Sequence, residues 1–87
     1  MKARLKLAYM RVLHGFVVES QQIEFEIEYS ECTWGELVNI VETTLIALLS
    51  TLQWKCNKSE RKCYICTPMF CEAIRYDIEY ISANQHM

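Results

Sequence analysis

The chain has 87 residues, of which 52% are hydrophobic, and it contains only two glycines and one proline. This length allows a single domain, residues 1–87, and the low glycine and proline content argues against disorder and against a loop-rich scaffold. The net charge of -2 hides a segregated sequence, because no Lys or Arg occurs between Arg11 and Lys55 while seven glutamates lie there.

Two alternating segments in the first third of the chain predict a β-hairpin. Residues 2–13 place Leu5 and Leu7 on one face, and residues 22–29 alternate apolar and acidic side chains throughout. Such alternation is typical of half-buried strands. Gly15 lies between the two segments and allows the positive φ that a tight hairpin turn requires.

The register of this hairpin follows from its apolar faces, which must coincide across the strand pair. A three-residue turn centred on Gly15 satisfies this condition. It sets the basic residues of the first strand opposite the glutamates of the second, as Lys2 with Glu28, Arg4 with Glu26 and Lys6 with Glu24. We therefore expect one apolar face and one face with a ladder of ion pairs.

The alternation fails close to the turn. There Val12 and Val18 fall on the charged face, which indicates either a β-bulge that shifts the register or a tip that projects beyond the core. A projecting tip would expose Val12, Leu13, Phe16, Val17 and Val18 and form a contact site. We take Phe16, Val17 and Val18 as candidate partner-binding residues.

A helix is predicted to begin after Thr33 and to span residues 34–54. Thr33 and Glu36 have the spacing of a capping box, in which each side chain bonds the backbone N–H of the other residue. Two apolar stripes follow at helical spacing. The first contains Leu37, Val41, Leu45, Leu48 and Leu52, and the second contains Ile40, Ala47, Thr51 and Trp54.

Residues 37–54 also have about the length of a membrane span. They include Asn39 and Glu42, however, and a charged side chain is costly in lipid. We therefore expect no association with a membrane.

The rest of the chain predicts a loop and two strands. Residues 55–62 are polar and basic, as in a loop that ends a helix, and residues 63–66 have the composition of a short strand. Residues 69–82 fit two periods, because their apolar side chains alternate while Thr67 and Pro68 are typical of a helix start. Their β-branched and aromatic content favours a strand. The predicted fold is α+β, an antiparallel sheet in the order β-β-α-β-β with one long helix packed on one face.

The five cysteines are an odd set, which is more typical of a reducing compartment than of a disulfide framework. Four of them, Cys56, Cys63, Cys66 and Cys71, are close enough in sequence for a zinc site, which is the weaker alternative. A strand over residues 63–66 would point Cys63 and Cys66 to opposite faces, away from one ion. We therefore expect free thiols, no cofactor, and a cytoplasmic location in a cell or a host.

The sequence contains no recognisable catalytic constellation. His14 falls in the predicted turn and His86 is next to the last residue, so neither sits on a rigid element that could activate a cysteine. With two glycines there is no glycine-rich phosphate loop. The basic segment 55–62 is short and belongs to an acidic protein of pI 5.6, so we expect no direct binding of nucleic acid. We predict that the protein is not an enzyme.

The acidic block is then the feature that says most about function. Four of its glutamates have no predicted basic partner and are expected to form a negative patch; they are Glu19, Glu31, Glu36 and Glu42. Such a patch attracts basic protein surfaces, including those that hold nucleic-acid phosphates. We predict a binding protein or inhibitor that occludes a larger basic, nucleic-acid-handling partner. The four carboxylates would pair with Arg or Lys, while Phe16, Val17, Val18 or Trp34 anchor the contact.

In type only, this compact, acidic, motif-free chain resembles the inhibitors that phages and other mobile elements direct at host defence, such as anti-CRISPR or anti-restriction proteins. No residue carries the resemblance, so no functional residue is taken from it. Two alternatives stay open. One is a homo-oligomer, such as a homodimer, or a complex subunit assembled through Ile40, Ala47, Thr51 and Trp54. The other is a small zinc-binding module built on the four clustered cysteines.

Overall fold

The computed structural model describes residues 1–81, which form an antiparallel sheet and one helix. The elements are β1 (Lys2–Leu13), β2 (Phe16–Glu28), α1 (Trp34–Thr51), β3 (Lys55–Asn57), β4 (Lys62–Cys66) and β5 (Cys71–Ile81). The strand order across the sheet is β2-β1-β5-β4-β3. The α+β class is confirmed, and within the ambiguous segment 69–82 the residues Cys71–Ile81 form strand β5. Strand β3 is a short addition inside the segment predicted as a loop.

The β1–β2 hairpin has the predicted register along most of its length. Lys2 pairs with Glu28, and the same register continues up to Arg11, which pairs with Glu19. It then shifts by one residue, which confirms the predicted bulge. The predicted three-residue turn is wrong, because the bulge leaves a two-residue turn of His14 (φ 50) and Gly15 (φ 82). Positive φ at both turn positions matches the twist of the flanking strands.

Helix α1 begins as predicted and ends earlier. The capping box is formed, since the Glu36 N–H donates to the Thr33 hydroxyl and the Thr33 N–H donates to the Glu36 carboxylate. The helix stops at Thr51 because Gln53 adopts a left-handed φ of 69. The Trp54 N–H then donates to the Leu49 carbonyl, which closes the helix end. Within residues 1–81, no helix combines the length and the hydrophobicity that a membrane crossing requires.

Two clusters of buried residues connect the helix to the sheet. The first contains Ala3, Tyr29, Leu37 and Ile78, and the second contains Leu49, Cys63 and Tyr76. Leu45 packs against the second cluster, whereas Leu48 and Leu52 of the same predicted stripe are exposed. Only one side of α1 is therefore buried against the sheet.

The expectation of free thiols is wrong for four of the five cysteines. Disulfides join Cys56 to Cys63 and Cys66 to Cys71, while Cys32 is free. Each pair faces its partner across neighbouring strands, with Cα atoms 4.0 Å and 4.1 Å apart. The odd cysteine count argued against disulfides, and the prediction of a loop over residues 55–62 removed the hairpin that aligns Cys56 with Cys63.

Candidate protein-binding surface

The two faces of the sheet differ in what covers them. Ala3, Leu5 and Leu7 of β1 point to the face that contacts α1. Because side chains alternate along a strand, the even-numbered residues of β1 and the odd-numbered residues of β5 occupy the opposite face. We call this second face the open face.

On one half of the open face, the charged side chains form a network of ion pairs. Lys2 lies 3.8 Å from Glu28, and Arg4 lies 4.0 Å from Glu26, as the predicted ladder requires. Lys6 makes its closest ion pair with Glu79 of β5, at 2.8 Å, rather than with a glutamate of β2. The hydrogen bond to Glu79 raises the pKa of Lys6. These charges are compensated within the sheet.

The structure does not bring the four candidate glutamates together. Glu19 lies near the hairpin turn and pairs with Arg11 at 2.9 Å. Glu42 points inward, accepts a 2.8 Å hydrogen bond from the Tyr76 hydroxyl and lies 3.8 Å from Lys58. Both are therefore neutralised locally.

Glu31 and Glu36 lie at the start of α1 and are exposed. The Glu36 carboxylate serves the capping box, where it accepts from the Thr33 hydroxyl at 3.0 Å. These two are the only members of the predicted patch that form no ion pair within residues 1–81. A continuous negative surface through all four glutamates is not formed.

The apolar hairpin tip is exposed at three of its five predicted residues, whereas Val12 and Leu13 are partly buried. Phe16, Val17 and Val18 are 74%, 57% and 51% exposed, and none of them belongs to a core cluster. We call these three residues the hairpin tip. Trp34 differs, because it is partly buried against the first cluster and lies edge-on to Tyr80, with ring centroids 5.7 Å apart. Its role in the structure is packing at the helix start.

A second exposed apolar residue lies at the same end of the molecule. Val12 pairs with Cys71 across β1 and β5, so the turn between β4 and β5 is adjacent to the β1–β2 hairpin. Met69 in this turn is 73% exposed. The guanidinium of Arg11 lies over the Phe70 ring, 5.9 Å from its centroid. The sequence analysis missed Met69 because no local pattern indicates that β5 pairs with β1.

Of the residues predicted to form an oligomer interface, three are exposed and one packs against the core. Ile40, Ala47 and Thr51 are exposed on α1, and the Thr51 hydroxyl donates to the Ala47 carbonyl at 2.8 Å. Trp54 instead packs against the second core cluster. The exposed side of α1 also includes Leu48 and continues to Leu52 directly after the helix, and both had been predicted in the other stripe.

The candidate metal and catalytic residues lie apart. Cys63 belongs to the helix-covered core, whereas Cys66 and Cys71 pair on the open face. Within residues 1–81, no three His, Cys, Asp or Glu side chains are grouped as they would be around a metal ion. His14 is exposed in the hairpin turn, and His86 lies outside the described residues.

Comparison with known proteins adds no family to this description. No family model matches the chain, and no match was found among curated proteins or solved structures. The distinguishing feature of the molecule is therefore its surface, which combines an apolar tip with an open face whose charges are largely paired.

Proposed function

We propose that this chain is a small non-enzymatic protein-binding protein that occludes part of a larger partner. The observation that carries the proposal is the exposure of Phe16, Val17 and Val18 at the hairpin tip. Three consecutive large apolar side chains outside the core are unfavourable in water, and such patches mark interaction sites. A few buried anchor side chains supply most of the free energy of a protein interface, and Phe16 is the largest such side chain at the tip.

The tip is suited to insertion into a partner because its backbone is well supported. The two-residue turn and the register up to Arg11 fix the hairpin, and β1 is paired on both sides. A preorganised hairpin loses little conformational entropy on binding. Met69, in the adjacent turn, widens the apolar end of the molecule.

The inhibitor role and the basic, nucleic-acid-handling partner remain part of this proposal. Their electrostatic support is reduced to Glu31 and Glu36, since Glu19 and Glu42 have internal partners. These two glutamates lie at the end of β2 opposite the hairpin tip. Steering by charge and anchoring by the tip would therefore act on separate parts of a partner.

The proposal also takes α1 to pack on one face only, which leaves the open face free for contacts. The predicted cytoplasmic location is kept as a proposal beside the two disulfides, which are typical of an oxidising compartment. Mass analysis of the protein isolated under thiol trapping decides between these environments, because disulfides that survive in the native source contradict a reducing one.

A capture experiment with matched variants tests the proposal. Wild-type protein and a Phe16→Asp, Val18→Asp variant are immobilised and exposed to the host extract at low and high salt. We expect one partner to bind wild type and to be lost from the variant. A Glu31→Gln, Glu36→Gln variant is the control, and it should lose only the salt-dependent part of the binding. Equal capture by wild type and the tip variant would overturn the proposal.

A second candidate is a homo-oligomer assembled through α1. It is favoured by the exposed side of the helix, where Ile40, Leu48 and Leu52 face solvent in the single chain. Light scattering on the purified protein tests this candidate. We expect a dimer that an Ile40→Asp, Leu48→Asp variant converts to monomer, and a strictly monomeric wild type contradicts it.

A further inference from the structure

The open face changes from charged to apolar towards the hairpin tip. The strand register shows two rows of side chains that cross the sheet there. The first row is Val17, Val12, Cys71 and Cys66, and the second is Ser20, Met10, Ala73, Tyr64 and Lys55. None of these residues belongs to a core cluster, and Met10 and Tyr64 are 39% and 40% exposed. We call Val12, Val17, Met10, Ala73 and Tyr64 the apolar strip.

Three cations border this strip, and we call them the basic border. They are Lys55, Lys62 and Arg75, all on the open face of β3, β4 and β5. Lys62 lies directly opposite Arg75, and like charges in that position repel each other. Every other Lys and Arg of the chain forms an ion pair, whereas within residues 1–81 these three form none. The unpaired charge next to the strip is therefore positive.

We propose that the apolar strip and the basic border form one docking surface for an acidic amphipathic helix of a partner protein. The proposal rests on the protein-binding part of the proposed function and not on its basic partner surface, because the unpaired cations of this face predict an acidic segment. Apolar side chains of the helix would cover Met10, Val12 and Tyr64, while its carboxylates would pair with Lys62 and Arg75. The second contact relieves the repulsion between these two cations.

The size of the strip fits such a segment. The strip together with Lys55 of the basic border spans all five strands, and strands spaced about 4.8 Å apart make this surface roughly 19 Å wide. A helix of about 13 residues covers this length at 1.5 Å per residue. Small residues near the middle of the face, Ala8 and Ala73, let a helix approach the sheet closely.

The same face is poorly suited to single-stranded nucleic acid. Nucleic-acid platforms stack successive bases on several aromatic side chains, and the apolar strip has one, Tyr64. A cavity of about 540 Å³ adjoins Arg75, and its lining includes Glu24, Glu60 and Asp77. The cations Lys6, Arg61 and Arg75 line the same cavity, so its charges are mixed and form no continuous positive track for a phosphate backbone.

The test uses isotope-labelled full-length protein and two synthetic helical peptides of about 18 residues. Both have leucine along one face; one carries glutamate along the flanks and the other carries lysine at the same positions. Amide chemical shifts locate each peptide on the sheet, and fluorescence anisotropy gives its affinity. A single-stranded oligothymidylate is the third probe.

We expect the glutamate peptide to shift the amides around Met10, Ala73 and Tyr64, and the lysine peptide to leave them unchanged. Arg75→Gln should weaken the glutamate peptide about fivefold. Lys2→Gln is the matched control, because it removes one positive charge from the far end of the same face. The affinity of this variant for the glutamate peptide should stay within twofold of wild type. Met10→Ser should weaken binding at least as much as Arg75→Gln.

Four results would overturn the inference. They are equal binding of both peptides, no binding of either, stronger binding of the oligothymidylate at the strip, and burial of the strip by a second copy of the chain at the working concentration. The Phe16→Asp, Val18→Asp variant separates the two proposals, since it should retain the glutamate peptide while losing the captured partner. Failure of the peptide with intact partner capture therefore rejects the docking surface alone.

Discussion

The hydroxyl of Tyr76 donates a 2.8 Å hydrogen bond to the carboxylate of Glu42 and so connects α1 to β5. Tyr76 is 3% exposed, and the Glu42 side chain is 15% exposed. Lys58 lies 3.8 Å from the other oxygen of the carboxylate. The Glu42 carboxylate, which was predicted to bind a partner, therefore holds the helix on the sheet.

Replacing Tyr76 with Phe should destabilise the protein. The substitution keeps the buried ring but removes the hydroxyl. In the described part of the chain, this hydroxyl is the only side-chain donor within 3 Å of the Glu42 carboxylate. A carboxylate left with less compensation costs about 1–3 kcal/mol of unfolding free energy. Urea unfolding followed by circular dichroism measures the difference.

Tyr9→Phe is the matched control for this measurement. The Tyr9 hydroxyl also donates to a glutamate, Glu72, at 2.6 Å, but both residues are only partly buried. Water can replace the lost partner there, so we expect a loss below about 1 kcal/mol. If Tyr9→Phe proves as costly as Tyr76→Phe, burial is not what gives the Glu42 contact its importance.

Alkaline pH should weaken the fold through the same tyrosine. Burial, together with the hydrogen bond to Glu42, raises the pKa of Tyr76 from 10.0 to about 12. Below pH 10 the ring is neutral in both states, so its contribution to stability is fully present. Between about pH 10 and 12 the unfolded chain ionises while the fold retains the proton, and stability falls by about 1.4 kcal/mol per pH unit.

The pH effect is measured by comparing wild type with Tyr76→Phe, both in a Cys32→Ser background. The background removes the free thiol, whose thiolate would attack the disulfides at high pH. The variant should lose stability less steeply above pH 10, although Tyr9 and Tyr29, whose pKa values are also raised, continue to contribute. Parallel pH profiles for the two proteins would contradict the assignment.

The parts of the fold that sequence predicts well are those set by local chemistry. The Thr33 and Glu36 capping box and the pairing of Lys2 with Glu28 follow from residue type and spacing alone. The position of β5 next to β1 does not follow from local chemistry. Several strands of this chain have one apolar face, and any two of them could be antiparallel neighbours in a sheet. The location of Met69 beside the hairpin tip and the ion pair between Lys6 and Glu79 both depend on the pairing of β5 with β1.

The candidate site was predictable to the same extent. The apolar tip at Phe16 follows from a break in alternation, which is a local signal. The inward position of Glu42 does not, since it depends on a hydrogen bond from Tyr76, which is 34 residues away in the chain. The basic border was hidden for a similar reason, because Lys62 and Arg75 become neighbours only through the pairing of β4 with β5.

Replacing Gln53 with Gly should stabilise the protein. Gln53 ends α1 with a φ of 69, a conformation that costs free energy for residues with a Cβ atom and little for glycine. We expect a gain of about 0.5–1 kcal/mol in urea unfolding. Gln53→Ala is the control, because alanine has the same conformational penalty and should bring no gain. A loss of stability in the glycine variant would show that the Gln53 side chain contributes more than its backbone strain removes.

The two disulfides should make the native protein react as a chain with one thiol. Iodoacetamide is expected to modify Cys32 alone before reduction and all five cysteines after reduction and unfolding. The bridged residues are separated by 7 and 5 positions, and closing such short loops contributes about 2 kcal/mol each to stability. Cys66→Ser, Cys71→Ser removes only the bridge on the open face, so its urea midpoint should lie between those of the oxidised and fully reduced wild type. Five reactive thiols in the protein as isolated would instead restore the sequence-based prediction of a reducing environment.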